Sequence, residues 1–179
     1  PTDPINHIDD ESGEIALCIL SAINVGKVKS DEELEDLCDL SVRGLEELID
    51  YQEYPVKAAE RATKARRSLG VGFIGLAHYL AKLGFKYDSQ EAWDAVHGLS
   101  ESFQYYLLKS SNQIAKEKGW CADFGRTKYA DGILPIDTYK KDVDEITSIK
   151  YEHDWEGLRA SILEHGLRHS TLSAQMPSE

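Results

Sequence analysis

The chain has 179 residues and a mass of 20.1 kDa, with 32 acidic side chains against 20 basic ones, a formal net charge of -12 and a sequence pI near 4.9. Hydrophobic residues make up 41% and charged residues 29%, which excludes a disordered chain, and the acidity argues against a protein that grips nucleic acid by neutralising phosphates. No apolar run approaches the roughly 20 residues of a membrane span, and no basic segment followed by an apolar one marks a secretory signal.

The length predicts one domain or a large piece of one. The chain begins Pro1-Thr2-Asp3-Pro4 without an initiator Met and ends Met176-Pro177-Ser178-Glu179, so it reads as a segment cut at both ends.

In chain order, Glu14-Ile-Ala-Leu-Cys-Ile-Leu20 is a compact apolar run that predicts a strand. Ser30-Asp31-Glu32-Glu33 is a capping box. Behind it Leu34, Leu37, Cys38, Leu45, Leu48 and Ile49 share one helical face. A second helical region runs from Val56 to Leu83, with a break or kink around Ser68–Gly72, and closes at Gly84. Ser89 caps a long aromatic-rich helix to Gly119, and Asp154 caps a shorter one ended by Gly166. Residues 120–150 read as loop with short elements. Leu167 to Gln175 alternates and predicts a second strand. Two strands at opposite ends of a helical stretch cannot form a sheet face alone, so they need partners from elsewhere.

The charge is segregated along the chain. Residues 1–53 carry 15 acids and 3 bases, whereas residues 54–84 carry 1 acid and 6 bases. The basic run from Lys57 to Arg67 lacks interleaved aromatic residues to stack on nucleotides. It is expected to pack as a helix beside the acidic first segment.

Several motifs invite sharper readings. Gly70-Val-Gly-Phe-Ile-Gly75 matches the G-x-G-x-x-G pattern of dinucleotide sites, but that motif needs a strand just before it and an acidic residue about 20 positions on. Here a basic helical run precedes it, so small residues serving helix packing or a kink are the expectation. His165 and His169 are four apart, but Gly166 ends the helix between them, which removes the geometric sense of a zinc pair.

Three cysteines, Cys18, Cys38 and Cys121, form no CxxC pair and no disulfide framework, which excludes a four-thiolate zinc site and points to a reducing, cytoplasmic setting. Cys38 and Cys121 read as buried small hydrophobes or loop thiols. Cys18 lies within the first strand-like run, its side chain facing the same way as Ala16 and Leu20. The local pattern leaves open whether it is core or redox-active. At the other end, a strand feeding Pro177, Ser178 and Glu179 is how an α/β unit often opens a helix, with exposed N–H groups that suit phosphate, although a plain helix cap accounts for it equally.

Gly13-Glu-Ile-Ala-Leu-Cys-Ile-Leu-Ser-Ala-Ile-Asn24 closely resembles a segment of the large (α) subunit of class I ribonucleotide reductases. So do Asp50-Tyr-Gln-Glu-Tyr-Pro55, Arg66-Arg-Ser-Leu-Gly-Val-Gly72, Tyr129-Ala-Asp-Gly-Ile-Leu-Pro135 and Gly166 to Glu179, in order along the whole chain. The resemblance is to the aerobic, ribonucleoside-diphosphate branch. It implies an α/β class: a helix-rich fragment of a ten-stranded α/β barrel, residues 1–179 forming one partial domain with about two barrel strands and long outer helices. It also implies that Cys18 is one of two thiols that reduce the substrate and become a disulfide, its partner lying outside this chain. Pro177, Ser178 and Glu179 match the start of the family's Pro-Ser-Glu-Thr-Ser substrate-phosphate segment.

The family's radical cysteine in its Asn-x-Cys-x-Glu motif, the tyrosine pair that relays the radical, the allosteric cone and the C-terminal cysteine tail are expected in other segments. No cofactor is expected on this chain. The radical would come from a dimetal β subunit, and ATP and dATP effectors would bind elsewhere in the subunit. The implied partners are the remaining α segments, the β subunit, thioredoxin or glutaredoxin, and a ribonucleoside diphosphate, with neither nucleic acid nor membrane. An acidic helical interaction module that keeps the packing without the chemistry is the alternative, and a nucleotide-binding domain around Gly70–Gly75 is a third, more remote reading.

Overall fold

The computed structural model describes Ile5, His7 and residues 11–175. The chain runs β1 (Ile19–Asn24), α1 (Asp31–Tyr51), α2 (Lys57–Arg66), β2 (Leu69–Ile74), α3 (Leu76–Leu83) and α4 (Gln90–Lys118). A loop region follows with short turns and α5 (Pro135–Thr138), then α6 (Trp155–His165). β1 and β2 pair in parallel, in register from Ile19↔Leu69 to Asn24↔Ile74. Residues 171–175 run along the other edge of β2, joined by a parallel bridge between Val71 and Ser173 and by backbone bonds from Leu69 N–H to Thr171 O and Val71 N–H to Leu172 O. β2 is therefore the middle of three extended segments.

Two strand expectations shift. Residues 13–18 lie outside the ladder: Ile15 N–H donates to Ala58 O and Arg66 reaches Glu14 at 2.7 Å, so this stretch runs over α2 and the strand starts at Ile19. At the far end, residues 166–170 bond to Ser111, Cys121, Arg66 and Glu46 instead of to β2, and only 171–175 lie along β2. The expected helix from Val56 to Leu83 is instead helix, strand, helix. Arg67 adopts a left-handed conformation (φ 50°, ψ 48°) that closes α2, and the apolar run Leu69–Ile74 pairs with β1. Pairing with a distant strand overrides the local helical pattern.

The helix ends follow their caps. Ser30 Oγ accepts from Glu33 N–H at 3.2 Å, while Glu33 returns its carboxylate to Lys29 N–H at 2.7 Å, one residue earlier than a capping box requires. Ser89 and Asp154 cap α4 and α6 as expected, accepting from Ala92 and Gly157 N–H.

The buried face of α1 is Leu34, Cys38, Val42, Leu45 and Ile49, and Leu48 stays exposed. This face joins Ile23, Leu69 and Val71 of the strands and Phe103, Leu107 and Leu108 of α4 in one apolar cluster. Phe73 meets Phe103 edge to face, with centroids 5.3 Å apart. The opposite face of β1, carrying Leu20, Ala22 and Asn24, is exposed, and Leu20 keeps 56% of its surface in solvent.

One side of this core is ionic. Glu46 of α1 is 1% exposed. It accepts from Arg67 Nε at 2.7 Å, Arg168 Nε at 2.7 Å and His169 Nε2 at 2.9 Å, and Arg67 also binds Asp50 at 2.7 Å. The basic end of α2 thus packs against the acidic first segment, as the charge segregation implies. Burial opposes charge on Glu46, but the bonds from His169, Arg67 and Arg168 prevail and hold its carboxyl far below the usual carboxylate range. Burial is also the main force on His169, and it lowers the pKa, outweighing the pull of Glu46. A neutral His169 fits the geometry, with Nε2–H donating to Glu46 and Nδ1 accepting from Ser111 Oγ at 2.9 Å.

Leu107→Ala, at a fully buried site, should lower the unfolding free energy by about 3 kcal/mol, against less than about 0.5 kcal/mol for Leu40→Ala on the exposed side of α1, measured by urea denaturation. The ionic side sets the acid limit. His169 has a depressed folded pKa, so its contribution is present above its ordinary value of 6.5 and is lost as the pH falls below it. Glu46 adds a second loss below its ordinary value of 4.5. Unfolding free energy should therefore drop in two stages on acidification, and Glu46→Gln should remove the lower one.

Candidate active site

Cys18 sits one residue before β1, so the β1–β2 register decides what its side chain meets. Leu20 pairs with Gly70. A Cβ on Gly70 would lie 2.5 Å from Leu20 Cδ2, 2.9 Å from Cys18 Sγ and 3.1 Å from Ala174 Cβ. Glycine is required at position 70 because the thiol, the leucine and the strand-like segment 171–175 all close on that point. The niche of Cys18 is thus built from three separate stretches of chain: β1, β2 and 171–175.

All three cysteines are free thiols. Cys38 is fully buried on α1, where burial and nearby carboxylates push its thiol up to about 12. Cys121 is 1% exposed and is pushed up to about 11, chiefly by burial. Cys18 alone is exposed, and partial burial raises its pKa above the ordinary value. It is therefore a protonated thiol at neutral pH that a reactant or a second thiol can reach. Cys38 and Cys121 match the expectation of buried, inert side chains.

Pro177, Ser178 and Glu179 lie outside the described residues. The segment leading to them is firmly placed. The Gln175 side chain donates from Nε2 to Phe73 O at 2.7 Å and accepts from Phe73 N–H at 3.4 Å, continuing the ladder where the backbone stops. Ser173 Oγ donates to Gln104 Oε1 at 2.6 Å on α4.

The glycines of the G-x-G-x-x-G match fall within β2 and at its end, not in a turn that follows a strand. Gly70 serves close packing across the sheet, Gly72 pairs with Ala22 within it, and Gly75 (φ 76°) opens α3. The expected helix packing or kink is corrected: these glycines belong to a strand, because Leu69–Ile74 pairs with β1. His165 ends α6 and His169 is buried beside Glu46, so the two do not share a helical face. An apolar cleft of about 540 Å³ between α3, α4 and residues 135–155 is lined by Trp93, Tyr139, Tyr151 and Trp155 but not by Cys18. No Lys or Arg lines it to meet a phosphate.

Arg67 and Gly70 fall in segments singled out in the sequence, but their contacts, like those of Glu46 and Ser111, form only in the fold; the β-branched and aromatic Val71, Phe73 and Ile74 mark β2 as a strand. Among the described residues no cluster of three or more His, Cys, Asp or Glu side chains could hold a metal ion, and no helix is long and apolar enough to cross a membrane.

Gly70→Ala should displace Cys18, because contacts of 2.5–2.9 Å cannot persist against a methyl group. The expected outcome is an alkylation rate at Cys18, followed by peptide mass spectrometry, changed by about threefold or more, with Gly44→Ala on the open surface of α1 leaving it unaltered.

With this geometry in view, the comparisons with known proteins are specific. The ribonucleotide reductase barrel-domain model matches residues 5–179. The chain is 58% identical over all 179 residues to the ribonucleoside-diphosphate reductase subunit alpha of Haemophilus influenzae, covering 24% of that protein. It is 56% identical over 131 residues, 73% of the chain and 17% of the relative, to the ribonucleoside-diphosphate reductase 1 subunit alpha of Escherichia coli K12. To the ribonucleoside-diphosphate reductase subunit alpha of enterobacteria phage T4 it is 42% identical over 178 residues, 98% of the chain and 23% of the relative. The chain thus spans about a quarter of the length of such relatives. The helix-rich architecture with its parallel strands is a part of an α/β barrel, and the chain belongs to the ribonucleotide reductase barrel-domain family.

Proposed function

We propose that this chain is part of the catalytic barrel of a ribonucleoside-diphosphate reductase α subunit, and that residues 1–179 form one partial domain of it. The observation that carries the reading is the exposed Cys18 thiol, fixed against Gly70 at the start of a parallel strand whose outward face is open.

In this reading Cys18 and a cysteine on another segment act together. The two thiols give up two electrons and two protons and become a disulfide. The ribose 2′-hydroxyl leaves as water, and a hydrogen takes its place on the 2′ carbon. Thiols suit this step because a dithiol held within disulfide distance is oxidised at little geometric cost and is regenerated by exchange with an external dithiol. A raised thiol pKa keeps Cys18 in the protonated form that carries a transferable hydrogen. Pro177, Ser178 and Glu179 would seat the substrate phosphates at a helix N-terminus, where unpaired N–H groups and the helix dipole favour negative charge.

The remaining requirements lie with other chains or segments: the rest of the α subunit, a radical-generating dimetal β subunit, and thioredoxin or glutaredoxin as reductant. Effector nucleotides would act on those other segments. Three free thiols fit a reducing, cytoplasmic setting.

The test is to assemble the chain with the remaining segments of its subunit and the β subunit, and to follow deoxyribonucleotide formation from a ribonucleoside diphosphate with a dithiol reductant. Wild type should turn over and Cys18→Ser should fall to background. Equal activity in both would remove the redox role and favour a packing module that has lost the chemistry.

A further inference from the structure

The buried ionic cluster around Glu46 lies about the points where two neighbouring extended segments begin. Arg67 stands two residues before β2, and His169 stands two residues before the segment 171–175. Both are held by the same carboxylate: Arg67 Nε and His169 Nε2 reach Glu46 Oε2 at 2.7 and 2.9 Å, and Arg168 takes the other oxygen at 2.7 Å. His169 is fully buried and is fixed a second time from α4, its Nδ1 accepting from Ser111 Oγ at 2.9 Å and its backbone N–H donating to that oxygen at 3.2 Å. Ser170 N–H donates to Arg66 O at 2.9 Å, which ties the approach to 171–175 directly to the end of α2.

The clamp fixes the start of 171–175, and the rest meets β2 through one bridge, a few backbone bonds and the Gln175 side-chain bonds to Phe73. A one-residue slip would turn every side chain to the opposite face. Its Ala174 forms one wall of the niche at Gly70, opposite Cys18. The register of 171–175 on β2 therefore sets the shape of the space that the thiol occupies.

We infer that Glu46, His169 and Ser111 are positioning residues for Cys18: by locking the beginnings of β2 and of 171–175 to α1 and α4, they hold the wall against which the thiol is placed. The significance of the inference rests on the redox reading of Cys18, but its test does not. Thiol reactivity is read directly, whereas the role of the thiol is read from turnover of Cys18→Ser, so either can fail without the other.

The experiment uses the full-length subunit that contains this chain. The second-order rate of iodoacetamide modification at Cys18 is followed by peptide mass spectrometry across a pH series, well below the melting temperature. His169→Leu, which keeps bulk but makes neither bond, should raise the rate about threefold or more and shift its pH midpoint toward that of a free thiol, as the niche opens. His169→Gln, whose amide N–H can still reach Glu46, should restore most of the wild-type value. Leu158→Ala in the buried face of α6 controls for general loss of stability, because it lowers the melting temperature without touching the clamp. A Cys18 rate unchanged in His169→Leu, or raised equally in Leu158→Ala, would overturn the inference. Should His169→Leu fail to fold, Ser111→Ala is judged by the same comparison.

Discussion

Everything in this structure depends on the parallel pairing of β1 with β2. Parallel neighbours cannot be joined by a tight turn and need a crossover of a dozen or more residues, and α1 and α2 fill that interval. The same rule places α3 to α6 between β2 and the extended segment 171–175. Because the crossover helix α1 packs on one face of β1, that face holds the apolar core and the other remains open. The register then places the thiol: Leu20 falls opposite Gly70, and Cys18 before it settles where only a glycine leaves room. That Cys18 is exposed while Cys38 and Cys121 are buried follows from this backbone pairing.

The ionic side of the core works at a different level. A carboxylate that is 1% exposed would be costly alone, since an unpaired buried charge destabilises by about 3–5 kcal/mol. Glu46 is tolerated because it is surrounded by two guanidinium groups and an imidazole N–H, all at 2.7–2.9 Å. A buried ion cluster of this kind is often no more stabilising than an apolar replacement of the same volume, whereas removing one partner is costly. It joins residues from α1, the end of α2 and the approach to 171–175, stretches separated by as much as 123 positions in sequence. Glu46 and Asp50 of the acidic first third meet Arg67 at the end of the basic run in this joint.

How legible this was in the sequence depended on whether a feature is local. Ser30, Ser89 and Asp154 announce helix starts because a cap is a contact within one turn, and Gly84, Gly119 and Gly166 mark helix ends for the same reason. β2 was hidden because Ala62 to Arg67 has strong helical character up to its border, and two glycines weaken the strand signal of the residues after it. Only the partner strand β1, some 50 residues away, settles it. Nothing in the local sequence sets Glu46 apart from the other acids of α1, and only the fold brings Arg67, Arg168 and His169 to it. The family is readable from motifs spread over the whole chain, yet Gly70 becomes the wall of the thiol niche only when β1, β2 and 171–175 come together.

The central claim is that Cys18 is one half of a redox pair completed by another segment of the subunit. The most direct measurement is a single turnover of the full-length enzyme on a ribonucleoside diphosphate without external reductant, followed by alkylation and peptide mapping. The predicted result is one disulfide per product formed, linking the Cys18 peptide to a cysteine outside residues 1–179. Product formed with Cys18 still a free thiol would contradict it.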